Sequence, residues 1–157
     1  MTDHVDSETR SKIMASVGGK NTGPEMVVRR YLHARGYRFR LHRKDLPGKP
    51  DLVLPKYRLV IFVHGCYWHR HAGCFYASTP KTRIAFWQEK FERNVVRDRR
   101  QQDALTEAGW RVLIVWQCGL RHSREDIDAI ETAIVGNGTR NEWPAQPPRT
   151  RNGDERP

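Results

Sequence analysis

Cysteine is scarce in this chain, and the few cysteines present cannot all pair with one another. Only Cys66, Cys74 and Cys118 occur among the 157 residues. An odd number excludes a scaffold in which every cysteine is disulfide-bonded, the arrangement typical of small secreted domains. Because thiolates are preferred zinc ligands, the three residues favour a metal site in a protein of the reducing cytoplasm. Buried free thiols are the simpler alternative.

Long hydrophobic runs are also lacking. The longest apolar segments, 59–63 and 112–116, have the length of a strand. A membrane-spanning helix needs about 20 apolar residues, so we expect no membrane partner. A chain of 157 residues with 38% hydrophobic content is long enough for one domain with its own core.

Acidic residues are outnumbered by basic ones. The chain has 18 Asp and Glu against 28 Lys and Arg, which gives a formal net charge of +10. Proteins with such an excess often bind polyanions, and nucleic acid is the first candidate. Basic surfaces are common in themselves, but 5 Trp and 5 Tyr lie among these charges, and aromatic side chains stack on bases.

The segment 64–74 holds three histidines, two cysteines and the adjacent aromatic residues Tyr67 and Trp68. It follows an apolar run that predicts a buried strand, and Cys118 follows a second such run. If the two strand ends meet, the loop and Cys118 together supply the sulfur and imidazole ligands of a tetrahedral zinc ion.

The hydrophobic periodicity and the turn residues predict a mixed α/β fold, a sheet flanked by helices. We predict an N-terminal arm or helix over 1–22, a domain over 23–136 and a disordered tail over 137–157. Within the domain, the predicted elements are a helix over 24–35, strands over 37–41, 51–54 and 57–63, one long or two joined helices over 82–108, a strand over 110–116 and a closing helix over 123–134.

Two polar residues lie at the ends of neighbouring predicted strands. Asp51 follows a proline and opens one strand, and His64 closes the next. A hairpin that turns at residues 55–56 places both at the same end of the sheet. The arrangement resembles the nuclease core of type II restriction enzymes, whose signature is Pro-Asp on one strand and acid-x-Lys at the end of its neighbour. Here Phe-Val-His at 62–64 replaces the acid-x-Lys.

Several separate motifs occur in order along the chain. They are Pro-Gly-Lys-Pro-Asp51, Val63-His-Gly-Cys-Tyr-Trp-His-Arg-His71, Phe86-Trp87, Asn94-Val-Val-Arg-Asp-Arg-Arg100 and Gly109-Trp-Arg-Val-Leu-Ile-Val-Trp-Gln-Cys118. Together they resemble the very short patch repair (Vsr) mismatch endonucleases, and the match runs from about the first predicted helix to the last cysteine. The resemblance implies a restriction-endonuclease-like fold and an enzyme that nicks one strand of duplex DNA beside the thymine of a T:G mismatch. Such mismatches arise when 5-methylcytosine deaminates.

The resemblance also implies the groups that carry the reaction. Asp51 and the backbone carbonyl of Val63 would bind Mg²⁺, which neutralises the charge that develops on the scissile phosphate. His69 would handle the proton of the attacking water, and His64 beside it would polarise or orient that water.

Glu25 and Asp98 match supporting acidic positions of the family, where they would hold metal-bound water or orient a histidine. Each also has a plain structural explanation. A glutamate such as Glu25 favours a helix N-terminus, and Asp98 lies among arginines as a surface ion-pair partner would.

The family's zinc ligands correspond to Cys66, His71, Cys74 and Cys118. Four protein ligands form a closed site, so the zinc would be structural. Two residues separate His71 from Cys74, one more than the family spacing, and His69 therefore competes with His71 as the nitrogen ligand.

Tyr67, Trp68 and Trp87 match the aromatic wedge that the family inserts into the duplex beside the mismatch, and Met14 would insert from the opposite groove. Trp87 has an alternative as a core residue of an apolar helix face. The resemblance further implies a monomer that acts on DNA in the nucleoid of a prokaryote, followed by downstream repair proteins. Two other functions stay open: a noncatalytic, zinc-braced DNA-binding protein, and a restriction or defence nuclease on the same scaffold.

Overall fold

The computed structural model describes residues 23–150, which form a five-stranded mixed sheet flanked by helices. The helices are α1 (Gly23–Ala34), α2 (Ile84–Glu107), α3 (Gln117–His122) and α4 (Asp128–Val135). The strands are β1 (Arg40–Leu41), β2 (Leu52–Leu54), β3 (Leu59–His64), β4 (Arg111–Trp116) and β5 (Arg140–Trp143). The predicted α/β class is confirmed.

The strands follow one another across the sheet in chain order. The pairs β1–β2 and β2–β3 are antiparallel, whereas β3–β4 and β4–β5 are parallel. Leu52 lies opposite Ile61, and a short 3₁₀ helix at Pro55–Tyr57 joins their strands. The predicted hairpin is therefore confirmed. At the far end of β3, His64 lies opposite Trp116, so the β2–β3 hairpin and β4 present one shared end of the sheet.

Both faces of the sheet are buried, which explains the almost continuous apolar sequences of β3 and β4. Successive side chains of a strand point to opposite faces. One set packs with α1, α3 and α4, and its members in the two central strands are Leu59, Ile61, Leu113 and Val115. The other set packs with α2 and the cysteines, and its members are Val60, Phe62, Val112, Ile114 and Trp116.

The long charged segment after the cysteine loop forms one helix, α2. Its three buried residues, Phe91, Asp98 and Leu105, are each seven positions apart and so lie on one stripe of the helix. Placing Asp98 on this stripe directs a carboxylate toward the sheet rather than toward water. None of the helices within residues 23–150 is long and apolar enough to cross a membrane.

Two predictions at the edges of the sheet need correction. The strand over 37–41 is reduced to its last two residues, both exposed. The disordered tail over 137–157 is wrong for Arg140–Trp143, which form β5, so the domain extends beyond 136. An edge strand needs backbone pairing on one side only, and this one carries few apolar residues apart from the buried Trp143, so the sequence pattern does not mark it. The predicted arm over 1–22, with Met14, lies outside the described residues.

Candidate active site and metal clusters

The site lies at the shared end of the sheet. Asp51 immediately precedes β2, and its Oδ2 accepts a hydrogen bond from the backbone N–H of Val63 at 2.7 Å. Because Val63 and His64 end β3, this bond fixes the carboxylate beside the end of the neighbouring strand. The short distance between Asp51 and Val63 follows directly from the antiparallel hairpin.

Asp51 belongs to a cluster with Glu25 and His42. One ligand atom from each of the three lies within 4.8 Å of the others. Glu25, in the first turn of α1, is only 1% exposed. Its Oε2 is 2.7 Å from Nε2 of His42 and also accepts a hydrogen bond from Arg29. No sequence motif marks His42, which lies just after the exposed β1 in a basic loop.

Two carboxyl groups, those of Asp51 and Glu25, lie close together in this cluster. Burial raises the pKa of Asp51 to about 6, because it outweighs the hydrogen bond from Val63 and because the charge of Glu25 adds to it. A carboxyl group that resists ionisation beside a second carboxylate favours a bound cation. The oxygen donors of Asp51 and Glu25 are those that Mg²⁺ prefers, so the residues present fit this ion.

His69 and Asp98 form a hydrogen-bonded pair, with Nδ1 of His69 2.6 Å from Oδ2 of Asp98. Burial opposes the ionisation of Asp98, but the hydrogen bond and the charge of His69 outweigh it and lower the pKa of this carboxyl group. An ionised Asp98 accepts from Nδ1–H, which leaves the lone pair of Nε2 on His69 for a proton. His69 and Asp98 are far apart in the sequence, and the position of α2 beside the His69 loop brings them together.

His64 lies against His69, with ring centroids 3.7 Å apart and an interplanar angle of 5°. Burial and the charge of the neighbouring His69 lower the pKa of His64 to about 3. His64 is therefore neutral at pH 7, with a proton on only one of its two ring nitrogens. It stacks on the ring of His69 and so supports its orientation.

The third cluster comprises Cys66, His71, Cys74 and Cys118, all buried, with ligand atoms within 4.8 Å of one another. Sγ of Cys118 and Nδ1 of His71 are 3.4 Å apart. In a tetrahedral zinc site with bond lengths of about 2.0–2.3 Å, ligand atoms are roughly 3.3–3.8 Å apart, so the four residues fit zinc after small movements. His69 points instead to Asp98, and the structure thus places His71 with the cysteines.

The local backbone explains this choice of histidine. Gly73 has a φ of +72°, in the left-handed region, and it turns the chain between His71 and Cys74. The backbone N–H of Cys74 donates to the carbonyl of His71 at 3.2 Å, which closes the turn. The extra residue in this spacing is accommodated by the tight turn.

Hydrogen bonding between the thiols shifts the pKa values of Cys66 and Cys118 in opposite directions. A bond from Cys118, together with one from His71, lowers the pKa of Cys66 to about 4 although burial opposes it. The same bond raises the pKa of Cys118. One thiolate is therefore favoured in the metal-free cluster and further negative charge is not, as expected of a site that a cation completes.

Cys118 reaches this cluster because α3 begins directly after β4. The neighbouring Gly119 packs against the end of β5, where an added Cβ would lie 2.6 Å from Cδ of Pro144 and 2.8 Å from the ring of Trp143. A larger residue at Gly119 would push α3 away from the sheet. Trp143 and Pro144, which lie in the segment predicted to be disordered, thus help to position Cys118.

Aromatic side chains form a further group beside the His69 loop. Tyr67, Trp68, Trp87 and Phe91 have ring centroids 5.1–6.2 Å apart in successive contacts. Phe91 is buried, but the other three are partly exposed. Nζ of Lys90 lies 5.7 Å and 5.8 Å from the rings of Trp68 and Trp87. The group is an accessible aromatic surface with positive charge beside it rather than closed core.

Comparison of the sequence with known proteins assigns this chain to a family. Residues 2–75 match the family model described as DNA mismatch endonuclease Vsr. The Type II nicking enzyme V.XorIIP of Xanthomonas oryzae pv. oryzae is 52% identical over 134 residues, which cover 85% of this chain and 95% of that protein. DNA mismatch endonuclease Vsr of Escherichia coli (strain K12) is 44% identical over 144 residues, 88% of this chain and 91% of that protein. The chain belongs to the Vsr family.

Membership in the Vsr family makes the chain an endonuclease, an enzyme that hydrolyses phosphodiester bonds in DNA. A noncatalytic binding protein is excluded. The family does not by itself assign roles to individual residues, so the roles of the three clusters and of the aromatic surface stay predictions. The structure brings the members of each proposed group together, except for Met14, which lies outside residues 23–150.

One residue in this Vsr-family enzyme, Trp116, contacts two of the clusters, and the sequence motifs do not predict these contacts. Trp116 stacks on His71 with ring centroids 4.2 Å apart and meets the ring of His64 at 5.3 Å. Its Nε1–H donates to Oε1 of Glu142 on β5 at 2.6 Å. The indole is therefore held by the edge strand between the cysteine cluster and the stacked pair of His64 and His69.

Proposed function

We propose that this chain nicks one strand of duplex DNA beside the thymine of a T:G mismatch, in a Mg²⁺-dependent reaction on a restriction-endonuclease-like core. The observation that carries the proposal is that Asp51 is hydrogen-bonded to Val63 while the His69–Asp98 pair stacks on His64, so that both lie at the same end of β3. A carboxylate can hold the metal ion, and an imidazole oriented by a second carboxylate can serve as the general base, in metal-assisted phosphodiester hydrolysis.

Asp51 and the carbonyl of Val63 would hold the Mg²⁺ ion, with Glu25 holding water at the same position. Bound there, Mg²⁺ supplies a positive charge that stabilises the developing charge on the scissile phosphate and the leaving oxygen. The hydrogen bond from Val63 keeps Asp51 at the strand end, so the carboxylate has one orientation before DNA binds.

His69 would accept the proton of the attacking water through Nε2. Asp98 holds the ring by Nδ1 and stabilises the imidazolium that forms. His64, neutral because burial and His69 lower its pKa, stacks on that ring and would orient the water. All of these groups belong to one chain, which supports the proposal that a monomer suffices.

The cysteine cluster would hold a structural zinc ion. Cys66, His71, Cys74 and Cys118 account for all four positions of a tetrahedral site and leave none for substrate. Because Cys66 and His71 lie in the same loop as His69, zinc would fix the loop that presents the proposed base.

The aromatic surface would find the lesion. Insertion of Tyr67, Trp68 and Trp87 between base pairs costs the DNA part of its stacking energy, and a mismatch lowers that cost. Met14, from the N-terminal arm, would insert from the opposite groove. The excess of basic residues would bind phosphates without regard to sequence.

The test is an incubation of the purified protein and Mg²⁺ with end-labelled duplexes that carry a T:G pair, the matched C:G pair or another mismatch at one position. We expect a single break beside the thymine of the T:G duplex and little cleavage of the others. Cleavage of both strands of the matched duplex would instead identify a restriction or defence nuclease. Equal nicking of every mismatch would refute the T:G preference.

We predict that Trp68→Ala lowers the preference for mismatched over matched DNA by about 1–3 kcal/mol, the scale of one base-aromatic stack. The slope of affinity against salt concentration should stay unchanged, because that slope reflects phosphate contacts. The measurement is binding to T:G and matched duplexes over a range of salt concentrations.

Trp110→Ala is the matched control, since Trp110 is also partly buried and precedes β4 at the opposite end of the sheet. It should leave the ratio of the two affinities unchanged. If Trp68→Ala weakens binding to both duplexes equally, Trp68 is a general contact and recognition of the lesion lies elsewhere.

A further inference from the structure

His42 occupies a position in the site that the proposed mechanism does not use. Its Nε2 is 2.7 Å from Oε2 of Glu25, and ligand atoms of His42, Glu25 and Asp51 lie within 4.8 Å of one another. The side chain of His42 is only 16% exposed, so the imidazole is directed into the site rather than into solvent.

Neutralisation of Glu25 alone does not account for this arrangement. Arg29, one helical turn after Glu25, already donates a hydrogen bond to the same carboxylate oxygen and supplies a permanent positive charge. His42 adds a nitrogen donor that can replace its proton with a metal ion, which Arg29 cannot do.

The ligand set decides which ions such a site prefers. Mg²⁺ takes oxygen ligands almost entirely, whereas the divalent ions of the first transition row also accept an imidazole nitrogen, and among them Mn²⁺ has the oxygen preference closest to that of Mg²⁺. Two carboxylates and one imidazole within reach of one point therefore form a mixed oxygen and nitrogen site. Mn²⁺ accepts both kinds of ligand and tolerates the octahedral geometry that Mg²⁺ uses.

We propose that His42 is a direct ligand at the Asp51 metal site and that it makes this site bind Mn²⁺ more tightly than Mg²⁺. The inference rests on the proposed function, because it concerns the same site. It adds a residue outside the recognised motifs and a preference among divalent cations.

The first test needs no variant. The full chain, with its cysteine cluster loaded with zinc, is titrated with Mn²⁺, and the bound ion is studied by electron spin-echo envelope modulation. Nitrogen bound directly to Mn²⁺ gives a characteristic ¹⁴N modulation, which we expect to observe. Its absence from a site that binds Mn²⁺ would overturn the proposal.

The second test uses His42→Gln, in which the side-chain amide still donates to Glu25 but offers oxygen instead of nitrogen to a metal. We expect Mn²⁺ affinity to fall roughly tenfold or more while Mg²⁺ affinity, measured by competition, changes little. The ¹⁴N modulation should disappear. Persistence of the modulation or an unchanged ratio of the two affinities would overturn the role of His42.

His33→Gln is the control, since His33 lies exposed in the last turn of α1. It should leave both affinities and the modulation unaltered. Asp51→Asn separates the two proposals, because it should weaken Mn²⁺ and Mg²⁺ together. If Asp51→Asn leaves both ions bound, the proposed metal site itself is wrong; if only His42→Gln fails to act, the site stands without nitrogen ligation.

Discussion

Asp51→Asn should lower the rate of nicking by on the order of 10³-fold or more and leave DNA binding nearly intact. The asparagine oxygen can still accept the hydrogen bond from Val63, so the side chain keeps its place. What the substitution removes is the negative charge that is proposed to hold the metal ion. The rate is measured on a T:G duplex at saturating Mg²⁺, and binding by gel shift in the same buffer.

The raised pKa of Asp51 predicts that the same variant is not less stable. Burial and Glu25 raise this pKa to about 6, whereas an aspartate in an unfolded chain ionises near pH 4. The unfolded state therefore releases its proton first, and the metal-free protein loses stability as the pH rises from about 4 to about 6. Above that range, the melting temperature of Asp51→Asn without metal should equal or exceed that of the unaltered protein.

Asp45→Asn is a suitable control, because Asp45 is an exposed carboxylate in the preceding loop, paired with Arg43. It should nick at the normal rate. His69→Ala should also abolish nicking and leave a protein that binds mismatched DNA, since His69 is proposed to act on the water and not in packing. Near-normal cleavage by Asp51→Asn would remove the mechanism proposed here.

The central part of the fold was predictable from the sequence because its signals are local. The alternating and continuous apolar runs of β2, β3 and β4 fix three strands, and the proline near residue 55 fixes the hairpin between two of them. With the hairpin in place, Asp51 and His64 must lie at one end of the sheet. Asp98, by contrast, was left open by the sequence as a surface ion-pair partner, and the structure places it on the inner side of α2 with Phe91 and Leu105.

The remaining features depend on contacts between distant segments. β5 is held by backbone pairing to β4 and by Trp143, and a polar edge strand carries no hydrophobic pattern of its own. His42 enters the site only because the chain after β1 turns toward α1, which no local motif encodes. The choice between His69 and His71 depended on the turn at Gly73, which spacing alone did not decide.

Trp116 provides contacts through which the cysteine cluster would support the proposed reaction without taking part in it. The indole lies on the ring of His71 and against that of His64, while Glu142 holds its N–H. A change in the position of His71 would therefore move Trp116 and, through His64, the ring of His69. The proposed structural zinc thus has a contact route to the proposed base.

Cys118→Ser should consequently reduce both the zinc content and the stability of the fold. Structural zinc contributes about 10–16 kcal/mol of binding free energy in small zinc-dependent peptides, so the loss of one thiolate ligand should cost several kcal/mol even in a domain with its own core. Elemental analysis should find about one zinc per chain in the unaltered protein and much less in the variant. The melting temperature should fall to match, and strong chelation of the unaltered protein should have the same effect.

His122→Gln serves as the control for this change, because His122 is exposed on the same short helix as Cys118 and belongs to none of the three clusters. It should keep its zinc and its melting temperature. Addition of Mg²⁺ should not rescue Cys118→Ser, since thiolate and imidazole ligands do not suit that ion. A Cys118→Ser protein with full zinc and unchanged melting would show that Cys118 is only a buried thiol. The contacts of Trp116 would then not connect a zinc site to the proposed base, His69.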